Sequence, residues 1–504
     1  MSSFDAVGQL QASLLLRNTG RVSTSARIAP HIWLSLNWLR SPSGIYYEIH
    51  DIGAIGTMFP AAAIGSAISP APVQRLLDLP PLSARLCVSF TYCLIGALGP
   101  FFLYRLFALF YPVRVAFLVS LLFGVGTMFW PYTKTARDVL PGCVCVCAVL
   151  FYAGRLALYS FSHGTLPRAA AIRQSAVSLG VATGLALAFR VSLAPFLLIG
   201  IVGLLLALFK PLPRSVALNI AFLTLLPIFI SVLGSAYYNY VRTGNLLRTG
   251  ATRGHTLSSA MHNDLVFGAY ALLFSPNRGL LTFSPSLLLW FALPSVWRES
   301  PRELRLLTAV FLPGALLYVV FLARLSFWND VSWGQRYLVP VLPIFYLGAA
   351  LTALAELDGW QTRGRTRRCA FGALVSISFL VCLAPVTVNW DLVNSMQYPQ
   401  IVRPDILYPD QQMAVWEALY RGAVYGEPLP APAIVSEDAI RNTGRNFPDL
   451  WTFRLLQHSS ALAKFVGGTS LLTLMGITII SLRILLHFPS GRREEPPPTP
   501  NGSN

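Results

Sequence analysis

The fold of this chain is decided by residues 175–209, which read SAVSLGVATGLALAFRVSLAPFLLIGIVGLLLALF. Arg190 carries the only charge in this stretch and divides it into two apolar blocks, 175–189 and 191–209. Apolar blocks of about this length are typical of helices that cross a bilayer. The two blocks therefore predict a tight hairpin of membrane-spanning helices that turns at Arg190.

The rest of the chain repeats this pattern. Of its 504 residues, 54% are hydrophobic and 12% are charged, and the mean hydropathy is +0.58. A soluble protein carries about 25% charged residues. We therefore predict an all-α integral membrane protein with about eleven transmembrane helices. The predicted spans are 84–104, 114–130, 139–159, 175–189, 191–209, 216–236, 280–297, 306–324, 338–355, 369–388 and 463–485.

Positive charge is spread over the short loops between these blocks. The formal net charge is +17, but scattered Arg residues indicate the positive-inside pattern of membrane proteins rather than nucleic-acid binding. One orientation places the loops richest in Arg and Lys on the cytoplasmic side. These loops are 160–174, 210–215, 298–305 and 362–368. The outer side then receives 1–83, 131–138, 237–279, 325–337 and 389–462.

This orientation predicts a domain plan. Residues 1–83 form an outer-face segment with amphipathic or interfacial helices, and 84–388 form the transmembrane bundle. Residues 389–462 form a second outer segment, either a small subdomain or a lid. The last transmembrane helix is 463–487, and 488–504 form a disordered cytoplasmic tail.

The apolar stretch 53–69 needs a separate interpretation because it is short and contains Pro60. If it crossed the membrane, every later loop would change sides and the positive loops would face outward. We therefore expect an interfacial or re-entrant helix.

Carboxylates at membrane depth are costly unless they are paired or used. Asp138 stands beside Arg137 at the start of a predicted helix and is either an N-cap or local ion pair, or a functional carboxylate that faces Asp5 or Asp51. His50-Asp51 precedes 53–69, and Asp51 is either its N-cap or part of a binding site. No His, Cys or carboxylate spacing indicates a metal cage, including at Cys143, Cys145 and Cys147.

Two further motifs stand at predicted outer helix ends: Phe274-Ser275-Pro276-Asn277-Arg278-Gly279 and Trp333-Gly334-Gln335-Arg336-Tyr337. Arg278 and Arg336 either snorkel to the headgroups or grip a lipid phosphate with their guanidinium groups. Gly beside Arg lets backbone amides approach an anion, and Trp333 offers a stacking face for a sugar.

In these motifs the chain resembles the polytopic GT-C glycosyltransferases that use a polyprenyl-phosphate-linked sugar, the bacterial relatives of dolichyl-phosphate-mannose protein mannosyltransferases. The stretches that carry the resemblance run from about residue 5 to 355. They are Asp5 to Leu16, Ile49 to Gly53, Trp130-Pro131-Tyr132 with Asp138, and the two Arg-bearing motifs.

The resemblance implies that Asp5 is the catalytic base and that Asp138 assists it. It implies substrate-binding roles for His50, Asp51, Lys134, Arg137, Arg278, Trp333, Arg336 and Tyr337. In the family a transmembrane helix precedes the position of Asp5, so we expect that helix upstream of this sequence.

The implied activity is an inverting hexosyl transfer from a polyprenyl-phosphate carrier to an acceptor on the outer, periplasmic face of the cell membrane. The donor brings its own leaving group, so no nucleotide site is needed, and none is visible in the sequence. The outer carboxylates would allow a divalent cation to assist without requiring one. The alternatives are a lipid or sugar transporter, for which the sequence shows no internal repeat, and a catalytically inactive relative.

Overall fold

A computed structural model describes most of the chain. The described residues are 4–24, 38–69, 80–161, 169–248, 261–325, 332–388, 390, 393, 409–425, 453, 456 and 461–487. The predicted tail 488–504 and most of the predicted outer segment 389–462 lie outside them.

The described elements are helical apart from three short strands. The longer helices are α1 (Phe4–Thr19), α2 (Ile52–Ile68), α3 (Leu82–Phe107), α4 (Val113–Val125), α6 (Val139–Phe161), α7 (Ala169–Phe189), α8 (Ala194–Phe209), α9 (Arg214–Thr243), α10 (Leu265–Leu273), α13 (Arg302–Arg324), α14 (Leu342–Asp358), α15 (Arg365–Thr387), α16 (Asp410–Tyr425) and α17 (Ala461–His487). Single-turn helices are α5 (Phe129–Tyr132), α11 (Leu280–Phe283) and α12 (Leu293–Val296), and 3₁₀ turns occupy Val191–Leu193, Pro285–Ala292 and Arg336–Val341.

The all-α, multi-pass architecture expected from the sequence is confirmed. Among the described residues, eight helices are long and apolar enough to cross a membrane. All eight coincide with predicted spans. They are Ser83–Phe107, Val139–Phe161, Ala169–Phe189, Val191–Phe209, Arg214–Thr243, Arg302–Arg324, Arg336–Asp358 and Arg365–Thr387.

Two other predicted spans are shorter than expected. The helix predicted at 114–130 ends at Val125, and the one predicted at 280–297 is broken into short turns at Ser284. Pro285 disfavours helical geometry in the residue before it, and Ser284 accordingly has φ −143° and ψ 67°. The two breaks are in direct contact, because the Ser284 hydroxyl accepts a hydrogen bond from the Met128 amide at 2.9 Å.

The core of the bundle is formed by α6 and α14, which are almost wholly buried. Around them, α7 packs tightly against α9 through small residues of α7. A side chain at Gly180 would collide with the Thr224 carbonyl oxygen, and one at Gly184 would press on the Pro227 carbonyl. Glycine at these positions thus allows backbone-to-backbone contact between two spanning helices.

The N-terminal region contains a small antiparallel sheet that the sequence analysis did not predict. Its strands are β1 (Ser23–Thr24), β2 (Trp38–Arg40) and β3 (Tyr46–Glu48), in the order β1-β3-β2. Strand β3 leads directly into His50, Asp51 and α2. With 17 residues, α2 is shorter than the eight spans and packs against α1 and α3.

Charged side chains occupy both ends of the bundle. At one end, Glu356 pairs with Arg367 and, at 3.8 Å, with Arg363. The other end brings together His50-Asp51, the 131–138 loop, Arg190, the end of α9 and the 332–337 segment through direct contacts described below. Apart from Arg190, all of these belong to segments that the sequence analysis assigned to the outer side.

Candidate functional site

The N-terminal segment is fixed to the bundle by a buried arginine. Arg242, in the last turn of α9, is fully buried. Its Nη2 atom lies 3.1 Å from Oδ1 of Asp51, and its Nη1 atom donates to the carbonyls of Ile49 (2.8 Å) and His50 (2.6 Å). Asn239 accepts from the same guanidinium at 2.6 Å. This network holds the chain around Asp51 in one conformation.

Asp51 also contacts the hairpin turn at Arg190. Its Oδ2 atom accepts the Val191 amide at 3.1 Å. Gly53 makes the approach possible, because a side chain there would collide with the carbonyl of Ala188. Burial raises the pKa of Asp51, and Arg242 opposes the rise. Asp51 occupies the N-cap position of α2 but makes no side-chain capping bond, so the N-cap interpretation is wrong for its side chain.

Glu48 and His50 form a second buried pair beside this network. Glu48 is fully buried, and its Oε1 atom lies in hydrogen-bond contact with Nδ1 of His50. Its Oε2 atom accepts the His50 amide at 2.8 Å. Burial raises the pKa of the Glu48 carboxyl, with His50 and Arg242 acting in the opposite direction.

Arg190 connects the predicted carboxylate site to the predicted phosphate site. Its Nε atom lies 3.9 Å from Oδ2 of Asp138, and its guanidinium carbon lies 4.9 Å from the centre of the Tyr337 ring. The guanidinium of Arg336 approaches the same ring at 5.0 Å and donates to the Tyr337 hydroxyl at 3.1 Å. Two arginines thus share one tyrosine next to one carboxylate, which makes this part of the site electropositive.

Asp138 also interacts electrostatically with Asp51, Tyr92 and Tyr318. Asp51, one of the two carboxylates that Asp138 was expected to face, therefore lies close enough to interact with it. Tyr92 is fully buried on α3, and its hydroxyl has no hydrogen-bond partner among the described residues.

The 131–138 loop is bound to neighbouring elements by its polar side chains. The Nζ atom of Lys134 donates to the carbonyls of Val386 (3.0 Å) and Val388 (2.6 Å) at the end of α15, an arrangement that suits a cation at a helix C-terminus. Arg137 donates to the Ser332 hydroxyl at 3.0 Å and lies 5.3 Å from the ring centre of Trp390. In this conformation both residues position the loop.

Trp333 does not offer the sugar-stacking face that the sequence suggested. Its side chain is fully buried, its ring packs edge-on against Phe283 at 4.7 Å, and its carbonyl accepts the Tyr132 hydroxyl at 2.8 Å. Arg278 is also buried, with 2% exposure, so the snorkelling interpretation is wrong for it.

Gln411 joins the two Arg-bearing motifs. Its backbone amide donates to Oδ1 of Asn277 at 3.0 Å, its Oε1 atom accepts the Gly334 amide at 3.2 Å, and its Nε2 atom donates to the Ser332 carbonyl at 2.9 Å. Gly334 has a φ of +57°, a left-handed conformation that favours glycine. Gln411 is fully buried and fixes the backbone next to Arg278 and Arg336.

Asp5 lies in the first turn of α1, and its side chain is outside the described part of the structure. The neighbouring Ala6 and Leu10 are fully buried in the core shared with α2 and α3. The proposed role of Asp5 therefore stays a prediction. Among the described residues, no group of three or more His, Cys, Asp or Glu side chains is arranged to hold a metal ion.

The sequence analysis missed the parts of the site that depend on helix neighbours. Arg190 was interpreted as a turn residue, although a lone Arg between two apolar spans was a usable signal. The sequence analysis assigned no role to Arg242 or Glu48, and Gln411 carried no signal, because its partners lie far away in sequence.

Together, the fold and the site define a polytopic helical membrane protein with paired carboxylates and guanidinium groups at one end of its bundle. No protein-family model and no curated protein sequence matches the chain. Solved structures of ArnT from Cupriavidus metallidurans do match, at 15% identity. The apo form covers 84% of this chain and 66% of ArnT with a TM-score of 0.44. The form bound to undecaprenyl phosphate covers 83% and 74% with a TM-score of 0.43.

A third similar structure is the archaeal oligosaccharyltransferase AglB from Archaeoglobus fulgidus, in complex with an inhibitory peptide and a dolichol-phosphate. It shares 13% identity over 91% of this chain and 54% of AglB, with a TM-score of 0.33. This chain thus spans about two thirds of ArnT and about half of AglB. At these identities and TM-scores the likeness to the three structures is partial.

Proposed function

We propose that this protein is a membrane glycosyltransferase that moves a sugar from a polyprenyl-phosphate carrier to an acceptor at the outer face of the cell membrane. The observation that carries the proposal is the position of Arg190 between the Asp138 carboxylate and the Tyr337–Arg336 pair. A transferase of this kind needs both features, a cationic group for the leaving phosphate and a carboxylate for the attacking hydroxyl.

The charges around Arg190 favour an anionic ligand. Arg190 and Arg336 repel each other electrostatically, and Asp138 is too far from Arg190 for a direct hydrogen bond. The Nη1 atom of Arg190 is buried and has no hydrogen-bond partner among the described residues. A phosphate group between the two guanidinium groups would offset their repulsion and accept hydrogen bonds from both.

The reaction would proceed by direct displacement. The acceptor oxygen attacks the anomeric carbon, the bond from that carbon to the phosphate oxygen breaks, and the lipid phosphate leaves with the electron pair. A carboxylate on the opposite side takes the acceptor proton, so the anomeric configuration inverts. We assign the proton transfer to Asp5, with assistance from Asp138, and the stabilisation of the departing phosphate to Arg190 and Arg336.

The supporting residues would keep this arrangement rigid. Arg242 fixes Asp51 against the Arg190 turn, and Lys134 and Arg137 fix the loop that carries Asp138. Catalytic groups that are positioned before the substrate arrives need little reorganisation during the reaction. The same contacts explain why many of the predicted binding residues form hydrogen bonds with other parts of the protein.

Binding of a lipid phosphate tests the proposal independently of catalysis. The protein would be purified into nanodiscs and titrated with undecaprenyl phosphate and, in parallel, with undecaprenol, which lacks the anion. We expect the phosphate to bind selectively and Arg190→Ala to weaken its binding. Arg155→Ala is the matched control, because Arg155 contacts Tyr159 far along α6 from the site. Equal binding of both lipids would contradict the proposed phosphate site.

A further inference from the structure

Helix α16 is apolar on two opposite sides. One side, with Gln411, Ala414 and Val415, is buried against the protein. The opposite side is exposed and carries large apolar residues at helical spacing, each between 36% and 63% accessible. These residues are Met413, Trp416, Tyr420 and Val424. If this side of the helix faced water, such an apolar row would be unfavourable.

The charged residues of α16 lie along one edge between these two sides. Glu417 and Arg421 form an i,i+4 ion pair at 2.9 Å, and both side chains are more than half exposed. The helix therefore has three environments around its circumference: protein on one side, water along one edge, and an apolar medium on the remaining side. Trp and Tyr in the apolar row are the residues that accumulate where hydrocarbon meets the headgroups.

The position of α16 in the fold identifies this medium. Gln411 attaches the helix to the end of the bundle that holds the candidate site, and the helix packs against α15. The spanning helix α15 also exposes large apolar residues, Ile377, Phe379 and Leu380, on its surface. An exposed apolar row on a helix that packs against a spanning helix is suited to contact with lipid.

We propose that α16 is an interfacial helix that lies on the bilayer surface at the site end, with its apolar row inserted among the lipid headgroups and upper acyl chains. Amphipathic helices bind membranes in this orientation through their apolar face. Through Gln411, the seating of α16 in the bilayer positions the backbone beside Arg278 and Arg336. The membrane surface is therefore a structural partner of this end of the protein.

Spin-label accessibility in reconstituted protein tests the proposal. Tyr420→Cys and Arg421→Cys place labels on adjacent residues of the full chain, in a background where the exposed Cys369 is replaced by Ser. In nanodiscs we expect the label at 420 to collide mainly with lipid-soluble oxygen. The label at 421 should collide mainly with a water-soluble nickel chelate.

Three results would overturn the proposal. Equal exposure of both labels to the nickel chelate would place the apolar row in water. Protection of the label at 420 from both reagents would mean that protein covers it, either another segment of this chain or a second copy. Equal collision of both labels with oxygen would show that the apolar row is no more exposed to lipid than the ion-paired edge. Val424→Cys and Glu417→Cys form a second pair should either first variant fail to fold.

Discussion

The Nε atom of Arg190 lies 3.9 Å from Oδ2 of Asp138, at the point where two spanning helices turn and a third begins. Charged groups at this depth are costly to bury, and they persist where they are paired or have a function. The same guanidinium reaches the Tyr337 ring. Arg190 thus links the part of the site suited to proton transfer with the part suited to a phosphate.

Arg336 is expected to act on the donor. In Arg336→Ala the leaving phosphate loses a charged hydrogen-bond donor, which contributes about 1.5–3 kcal/mol, so kcat/KM for a polyprenyl-phosphate sugar should fall roughly 10- to 100-fold. The control is Arg421→Ala, which removes an exposed arginine at the same end of the bundle. An unchanged kcat/KM in Arg336→Ala would mean that Arg336 only snorkels toward the headgroups.

Arg242 is expected to contribute to stability. Arg242→Leu removes the partner of Asp51 and leaves a buried carboxylate uncompensated, which costs about 3–5 kcal/mol. Thermal unfolding of the purified protein in one detergent should therefore shift to a clearly lower temperature. Asp51→Asn, which keeps an acceptor for the Val191 amide, should lower it less. The assignment fails if Arg242→Leu unfolds at the temperature of the unsubstituted protein.

Glu48 is expected to make stability depend on pH. Because burial raises its pKa, the folded protein keeps the Glu48 proton over a pH range in which the unfolded chain has lost it. The resulting stability is present below the ordinary pKa of 4.5 and is lost as the pH rises through the folded pKa. Glu48→Gln should therefore flatten the fall in unfolding temperature above pH 4.5. Parallel curves for the two proteins would show that Glu48 does not contribute.

Gln411 is expected to position the two Arg-bearing motifs without touching substrate. Gln411→Ala removes the side-chain bonds to Gly334 and Ser332, so KM for the donor should rise more than kcat falls. Gln411→Glu keeps the acceptor for the Gly334 amide and should restore part of the loss. Gln412→Ala, next to it and half-buried, is the control. A similar loss in Gln411→Glu and Gln411→Ala would indicate a general packing defect instead.

The sequence predicted the helical architecture because apolar blocks of spanning length are a local property. It also predicted that Asp51, Asp138 and Tyr337 share one end of the bundle, since loop charge determines sidedness. It could not predict that Arg242 binds Asp51 or that Trp333 is buried, because these contacts depend on which helices are neighbours. The break at Ser284 was missed although Pro285 signals it, because the surrounding residues are uniformly apolar.

The central claim is tested most directly by measuring sugar transfer from a radiolabelled polyprenyl-phosphate hexose by the protein in nanodiscs. We predict release of polyprenyl phosphate with transfer of the sugar. Removal of a group that takes part in proton transfer typically costs about 10²- to 10⁴-fold in rate, so Asp5→Asn and Asp138→Asn should lose activity by this order while still binding undecaprenyl phosphate. An intact donor that crosses the bilayer uncleaved, or full activity in both variants, would contradict the account.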